Sequence, residues 1–301
     1  IKPKLSAGRV QSVALKLVVD REREIQEFKP EEYWNITAML EKEANAFKFK
    51  ANLNSENGKK IKVKNAEETE TIKNNLDGAK YIVENIKKTV TKSHAPAPFT
   101  TSTMQQDALN KLGMNLKKTS ACAQALYEGV ELEGEGKIAL ITYIRTDSTR
   151  VSPDFQANAL EYIKKEYGEK FAPAKPNIFK SKENAQDAHE AIRPISLERT
   201  PASVMKSLST ENFKLYKLIY ERFLASQMTD AIYNNVNVDI SANNYGFKAI
   251  GKTLQFAGYT AVYNNYTEEQ EDTRKIPPLV VGEEVKFDEL ITEQKFTKPP
   301  A

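Results

Sequence analysis

The sequence predicts a mixed α and β, multidomain protein in which a β-rich part is interrupted by a mainly helical block. Three observations carry this expectation. The 301 residues exceed what one hydrophobic core usually organises, since single cores stop growing beyond roughly 250–300 residues. Apolar residues alternate with period two in two separate stretches, 33–64 and beyond Asp230. Between them the apolar positions recur at helical spacing. Because sequence neighbours tend to be neighbours in space, the two β-rich stretches are expected to form one domain into which the helical block is inserted. The expected parts are 1–30, a first helix; 31–98, the first β-rich part; 99–228, the helical insert; and 229–301, the second β-rich part.

Each element has its own signal. Val10, Val13, Ala14, Leu17, Val18, Ile25 and Phe28 share a helical face, and Pro30 closes the segment. Its Asp20-Arg21-Glu22-Arg23-Glu24 run reads as a solvated, ion-paired surface. Trp34, Ile36, Phe47, Phe49, Leu53, Ile61 and Val63 mark strands, broken by a turn at Asn54-Ser55-Glu56-Asn57-Gly58. A helix is expected over 66–77 and a strand near 79–92. Pro96 and Pro98 then deny ladder hydrogen bonds. Thr101 or Ser102 is suited to cap a helix through Leu112, and Thr119 another through Tyr127. Ile138-Ala139-Leu140-Ile141 reads as one short buried strand. Helices recur near 155–167 and 211–226, the second with Phe213, Tyr216, Tyr220, Phe223 and Leu224 on one face. Strands return with Val236, Val238 and Ile240, then Phe247 to Phe256, then Val285 and Phe287.

Composition removes several classes of function. Lys and Arg number 44 against 41 Asp and Glu, a net charge of +3, so a polyanion has to be met by local basic patches and a histone-like tail is excluded. The single cysteine, Cys122, rules out a disulfide framework or a Cys-rich zinc module and points to a reducing, cytoplasmic setting. No apolar run approaches the roughly 18 residues of a membrane span, and no charged start leads into an apolar signal core, so no membrane partner is expected. The start at Ile1 and the end at Pro299-Pro300-Ala301 read as those of a piece of a longer protein.

Gly246-Phe247-Lys248-Ala249-Ile250-Gly251-Lys252-Thr253 satisfies the P-loop pattern letter for letter. A phosphate cradle needs a helix after the loop, whose N-terminal amides hold the phosphates. Here Asn243-Asn244-Tyr245-Gly246 reads as a hairpin turn, Phe247, Ala249, Leu254 and Phe256 read as strand residues, and no helix signal follows Thr253. A nucleotide-binding loop is therefore not expected.

Three stretches carry residue types able to do chemistry. In Leu140-Ile141-Thr142-Tyr143-Ile144-Arg145-Thr146-Asp147-Ser148, extended chain projects Tyr143, Arg145 and Asp147 to one side and packs Ile144 behind them. A phenol beside a guanidinium can attack a phosphodiester: the phenolate is the nucleophile, arginine favours it and holds phosphate oxygens, and Asp147 is placed to orient Arg145. A tyrosine closing a core beside a surface ion pair gives the same pattern. In Asp187-Ala188-His189-Glu190-Ala191-Ile192-Arg193-Pro194, a helical turn would put His189 and Arg193 on one face. Arginine cannot ligate a metal, so this is not the zinc-protease pattern; His189 is either a structural histidine or a proton-transfer or phosphate-binding group. Third, Leu5-Ser6-Ala7-Gly8-Arg9-Val10-Gln11-Ser12 opens the first helix and is either an ordinary capped start or a phosphate-binding one, with Arg9 and Gln11 as further donors.

Together, Ser6 to Ser12, Asp20 to Ile25, Pro98-Phe99-Thr100-Thr101-Ser102-Thr103, Ile141 to Ser148 and Ala188 to Pro194 resemble the bacterial type IA DNA topoisomerases, and Gln11-Ser12-Val13-Ala14-Leu15 is similar to the topoisomerase I branch. The resemblance implies a torus in which a β-rich arch carries a helical domain with the nucleophilic tyrosine. It implies that Tyr143 attacks single-stranded DNA to leave a 5′-phosphotyrosine bond, that the other strand passes through the gap, and that negative supercoils are relaxed. Arg145 and His189 correspond to residues of the same active site and Arg9 and Gln11 to positions along the DNA groove; Ser12, Asp147 and Arg193 are expected to bind DNA with them. The family's Mg2+ is held by an acidic domain that precedes the Ser6–Ser12 motif, and no Asp-x-Asp occurs here, so its ligands are expected outside these residues and relaxation by them alone is not expected. A non-enzymatic single-stranded DNA-binding module, stacking bases on some of the 13 tyrosines and 13 phenylalanines, is the reading from another class.

Overall fold

The computed structural model describes residues 8–42, 46–179, 189–263 and 275–300, without the side chain of Arg9. In chain order the elements begin with α1 (Arg9–Glu27), β1 (Glu32–Lys42), β2 (Phe47–Glu56), β3 (Lys59–Lys60), α2 (Ala66–Leu76) and β4 (Tyr81–Ser93). There follow α3 (Thr101–Leu112), α4 (Leu116–Glu128), β5 (Val130–Leu132), β6 (Gly136–Ile138), α5 (Pro153–Tyr167), α6 (Pro201–Val204) and α7 (Thr210–Gln227). The chain closes with β7 (Ala231–Ala242), β8 (Tyr245–Phe256) and β9 (Glu284–Phe296). Two compact units result: 1–88 with 236–251 and 273–301, and 89–235 with 252–272.

The first unit is built on an antiparallel sheet in the order β1-β9-β4-β7-β8-β2-β3, and β1 also pairs with β2, so the sheet closes on itself. Closure leaves its long strands without an open edge. Leu40 opposes Phe49 across β1 and β2, and Ala38 opposes Leu290 across β1 and β9. Alternation puts Ile36, Ala38 and Leu40 of β1 inside, with Phe49, Ala51, Tyr81, Val83, Val238, Ile240, Phe247 and Val285. The helix α2 adds Ile72 and Leu76 to that core; its Asn65 cap accepts from the Glu68 amide at 2.8 Å. The P-loop-like octet lies inside β8, after a two-residue turn in which Asn243 takes φ +53°. Gly246 has a packing reason: a Cβ there would overlap Ser55 Oγ on β2. The helix α1 forms where periodicity placed it, yet Val10, Val13, Leu17 and Val18 on its apolar face are exposed.

The second unit packs around α7, whose Leu215, Tyr216, Ile219, Tyr220, Phe223 and Leu224 are buried. Two of its buried phenols are satisfied by loop carbonyls: Tyr216 donates to Arg199 O and Tyr220 to Leu197 O, each at 2.6 Å. The ends of α3 and α4 differ from expectation. Thr100, not Thr101 or Ser102, caps α3 in a capping box with Thr103. Asn115 caps α4, and Thr119 is buried one turn inside, donating back to Asn115 O at 3.0 Å. The expected buried strand at Ile138–Ile141 reduces to the end of β6 and one isolated bridge, Ile141 to Pro194. Long-range bonds replace the strand there.

Candidate active site

The segment 189–195 threads beside 140–150 and holds it residue by residue. Thr142 N donates to Arg193 O at 3.0 Å and Ile195 N to Leu140 O at 3.0 Å. The Thr142 hydroxyl donates to Ala191 O at 2.7 Å and accepts from Arg193 N at 3.0 Å. Ala191 N reaches Arg150 O and Ile192 N reaches Phe99 O, both at 2.8 Å. From the other side Thr101, the first residue of α3, donates through its hydroxyl to Ile144 O at 2.7 Å and receives Thr146 N at 2.9 Å. That use of its hydroxyl is why Thr101 does not cap its own helix. Ser148 N then donates to Thr146 Oγ1 at 3.0 Å, tightening the turn.

With the backbone so pinned, burial alternates along the segment. Ile144, Thr146 and Ser148 are buried while Tyr143, Arg145 and Asp147 are exposed, Tyr143 by 38%. The shared side expected of these three residues is present without a regular strand beneath it. The Tyr143 ring lies 5.2 Å from the His189 ring at 32°, and 5.5 Å from the Tyr127 ring at 67°. An edge-to-face partner at that distance fixes ring orientation by quadrupole and packing. Nothing in the spacing of Tyr127, at the end of α4, announced this contact; it exists because the β5–β6 hairpin returns the chain alongside α4, where Leu140 N donates to Leu126 O at 2.9 Å.

Several expectations are corrected. His189 to Arg193 is not a helical turn: the stretch is extended, with Ile192 bridged to Phe99, because Pro194 and the cross-chain bonds outweigh local helix spacing. Arg193 turns instead to Glu190 at 2.6 Å and stacks 3.8 Å over the Phe155 ring. Asp147 does not orient Arg145; among the described residues neither has an ion-pair partner. At the start of α1, Gly8 is the N-cap and Ser12 donates to Gly8 O at 3.1 Å, while Gln11 is exposed. Leu5 to Ala7, Asp187 and Ala188 lie outside the described residues, as does the Arg9 side chain. Among the described residues no three His, Cys, Asp or Glu side chains gather closely enough to hold a metal, so the described residues offer Mg2+ no ligand set. Nor is any described helix long and apolar enough to cross a membrane.

A family model of DNA topoisomerases matches residues 1–301. The full-length topoisomerase I of Thermotoga maritima is 38% identical over 99% of this chain, with a TM-score of 0.80. The chain belongs to the bacterial type IA DNA topoisomerase family. It spans 46% of the length of that Thermotoga maritima chain. The mixed α and β architecture, with its large antiparallel sheet and helical second unit, is the type IA topoisomerase fold.

Proposed function

We propose that this topoisomerase chain carries the nucleophile that breaks and reseals one strand of single-stranded DNA, and that Tyr143 is that nucleophile. The observation that carries the reading is an exposed phenol whose ring is fixed against His189 on a backbone bonded from both sides, with Arg145, which has no ion-pair partner among the described residues, two residues on. The Tyr143 oxygen attacks phosphorus as its proton leaves. A P–O bond to tyrosine forms, the P–O3′ bond breaks, the 3′-oxygen takes up a proton, and the 5′ end stays on the protein. Arg145 neutralises the phosphate oxygens as charge builds on them. His189, its ring 5.2 Å from that of the phenol, is the group placed to take part in the proton transfer. Reversal by the 3′-hydroxyl reseals the strand after the other has passed, which relaxes negative supercoils.

Arg9, Gln11 and Ser12 contact the DNA backbone in this reading and Asp147, an acceptor only, meets base N–H groups rather than phosphate, whereas Arg193, engaged by Glu190 and Phe155, acts by fixing the segment that bears His189. The β-rich parts serve as the arch and 99–228 as the inserted domain. Mg2+, where the reaction uses it, is held by residues other than those described, and relaxation is not expected of these 301 residues alone. A DNA partner and the single cysteine accord with a cytoplasmic setting. The test is to incubate the protein that carries this chain with end-labelled single-stranded DNA and stop the reaction with detergent. A covalent 5′-linked adduct that disappears in Tyr143→Phe supports the reading; an adduct that survives the substitution overturns it, and DNA binding without any adduct favours the non-enzymatic module.

A further inference from the structure

Beside the Tyr143 segment the second unit contains a cavity of about 340 Å³ between α3, α4 and the turn at 144–145. That volume lies within the roughly 300–1,000 Å³ of small-ligand sites. Its floor is apolar: Met104 is 1% exposed and Ala123 is fully buried. Its walls carry two amides and a hydroxyl, from Gln105, Gln124 and Ser120. Gln105 donates to Ser120 Oγ at 3.4 Å and Gln124 to the Glu128 carboxylate. Each amide thus keeps its carbonyl oxygen and one N–H for something else. Arg145, with no ion-pair partner among the described residues, lies at the same cavity.

We infer that this cavity receives one nucleobase of the bound strand. An apolar floor accepts a base face, glutamine amides are the side chains that read base edges by paired hydrogen bonds, and Arg145 links the cavity to the phosphate track two residues from Tyr143. The inference rests on the DNA reading above and adds a position at which that site senses the base as well as the backbone. The Tyr143 and His189 rings take no part in it.

Titrating the 301-residue chain with heptadeoxyadenylate and with an all-abasic heptamer tests the idea without depending on register. The base-bearing heptamer should bind roughly tenfold more tightly, in keeping with the value of one base contact, and should shift the Met104 methyl resonance, which the abasic heptamer should leave in place. Ser120→Trp, which fills the cavity, should abolish that affinity difference, and the milder Gln124→Ala should reduce it. A Met104 methyl unmoved by bound heptadeoxyadenylate, or moved equally by both heptamers, would overturn the inference while leaving the DNA reading intact. If neither heptamer binds, the DNA reading falls with it.

Discussion

Thr142 shows how much of the site rests on a single hydroxyl. It donates to Ala191 and accepts from Arg193, closing the seam that puts His189 against Tyr143. Thr142→Val keeps the shape and leaves the Arg193 amide and Ala191 carbonyl short of a partner. Unfolding in urea should show a loss of about 1–3 kcal/mol, and the Tyr143–His189 ring contact should loosen in NMR. Tyr81 presents the opposite case, a buried phenol with no hydrogen-bond partner among the described residues. Burial pushes its pKa from 10.0 up to about 12. Between those values the unfolded chain releases this proton before the folded one does, so its contribution to stability is intact below pH 10 and drains away as pH rises towards 12. Tyr81→Phe should therefore be at least as stable as the parent at pH 7, with a margin that widens across that window in thermal melts at stepped pH. Tyr143 and His189 stood out in the sequence as residue types able to do this chemistry. The contacts of Thr142 and Tyr127 were not, because both arise from pairings between segments far apart in the chain.

At the scale of elements, the period of the apolar residues was the reliable signal. It placed α2, α7 and the strands β7 and β8 correctly, and it outweighed a letter-perfect phosphate-loop pattern within β8. The P-loop amides are spent on the sheet, so adding ATP with magnesium should leave the melting temperature of the chain unchanged, whereas a saturable rise would mean that a nucleotide binds the folded state. Helix ends were read less well. Thr100-Thr101-Ser102 offers three hydroxyls within one turn, and only the long-range demand of the 144–146 turn decides that Thr101 is taken elsewhere and Thr100 caps. Similarly, the four-residue interval from His189 to Arg193 suits a helix, but the pull of Phe99 and Thr142 on that backbone makes it extended. Local sequence cannot weigh such partners, which is why the site's residues were visible before the backbone that presents them.

For the whole molecule, a chain that spans 46% of its Thermotoga maritima relative and gathers no metal donor set among the described residues should bind single-stranded DNA yet not relax supercoiled plasmid by itself. Binding followed by fluorescence anisotropy should weaken with salt, the logarithm of affinity falling by roughly 0.7 per phosphate contact for each tenfold rise in salt. Arg145→Ala should flatten that slope and Tyr143→Phe should not, since a phenol neutralises no phosphate. The central claim, that Tyr143 is the group joined to DNA, is met most directly by digesting a trapped protein–DNA adduct with trypsin and locating the nucleotide by mass. The account predicts the added mass on the peptide Ile138–Arg145, at Tyr143, through a 5′-phosphate. A nucleotide found on Tyr127, or on any other tyrosine of the chain, would contradict it.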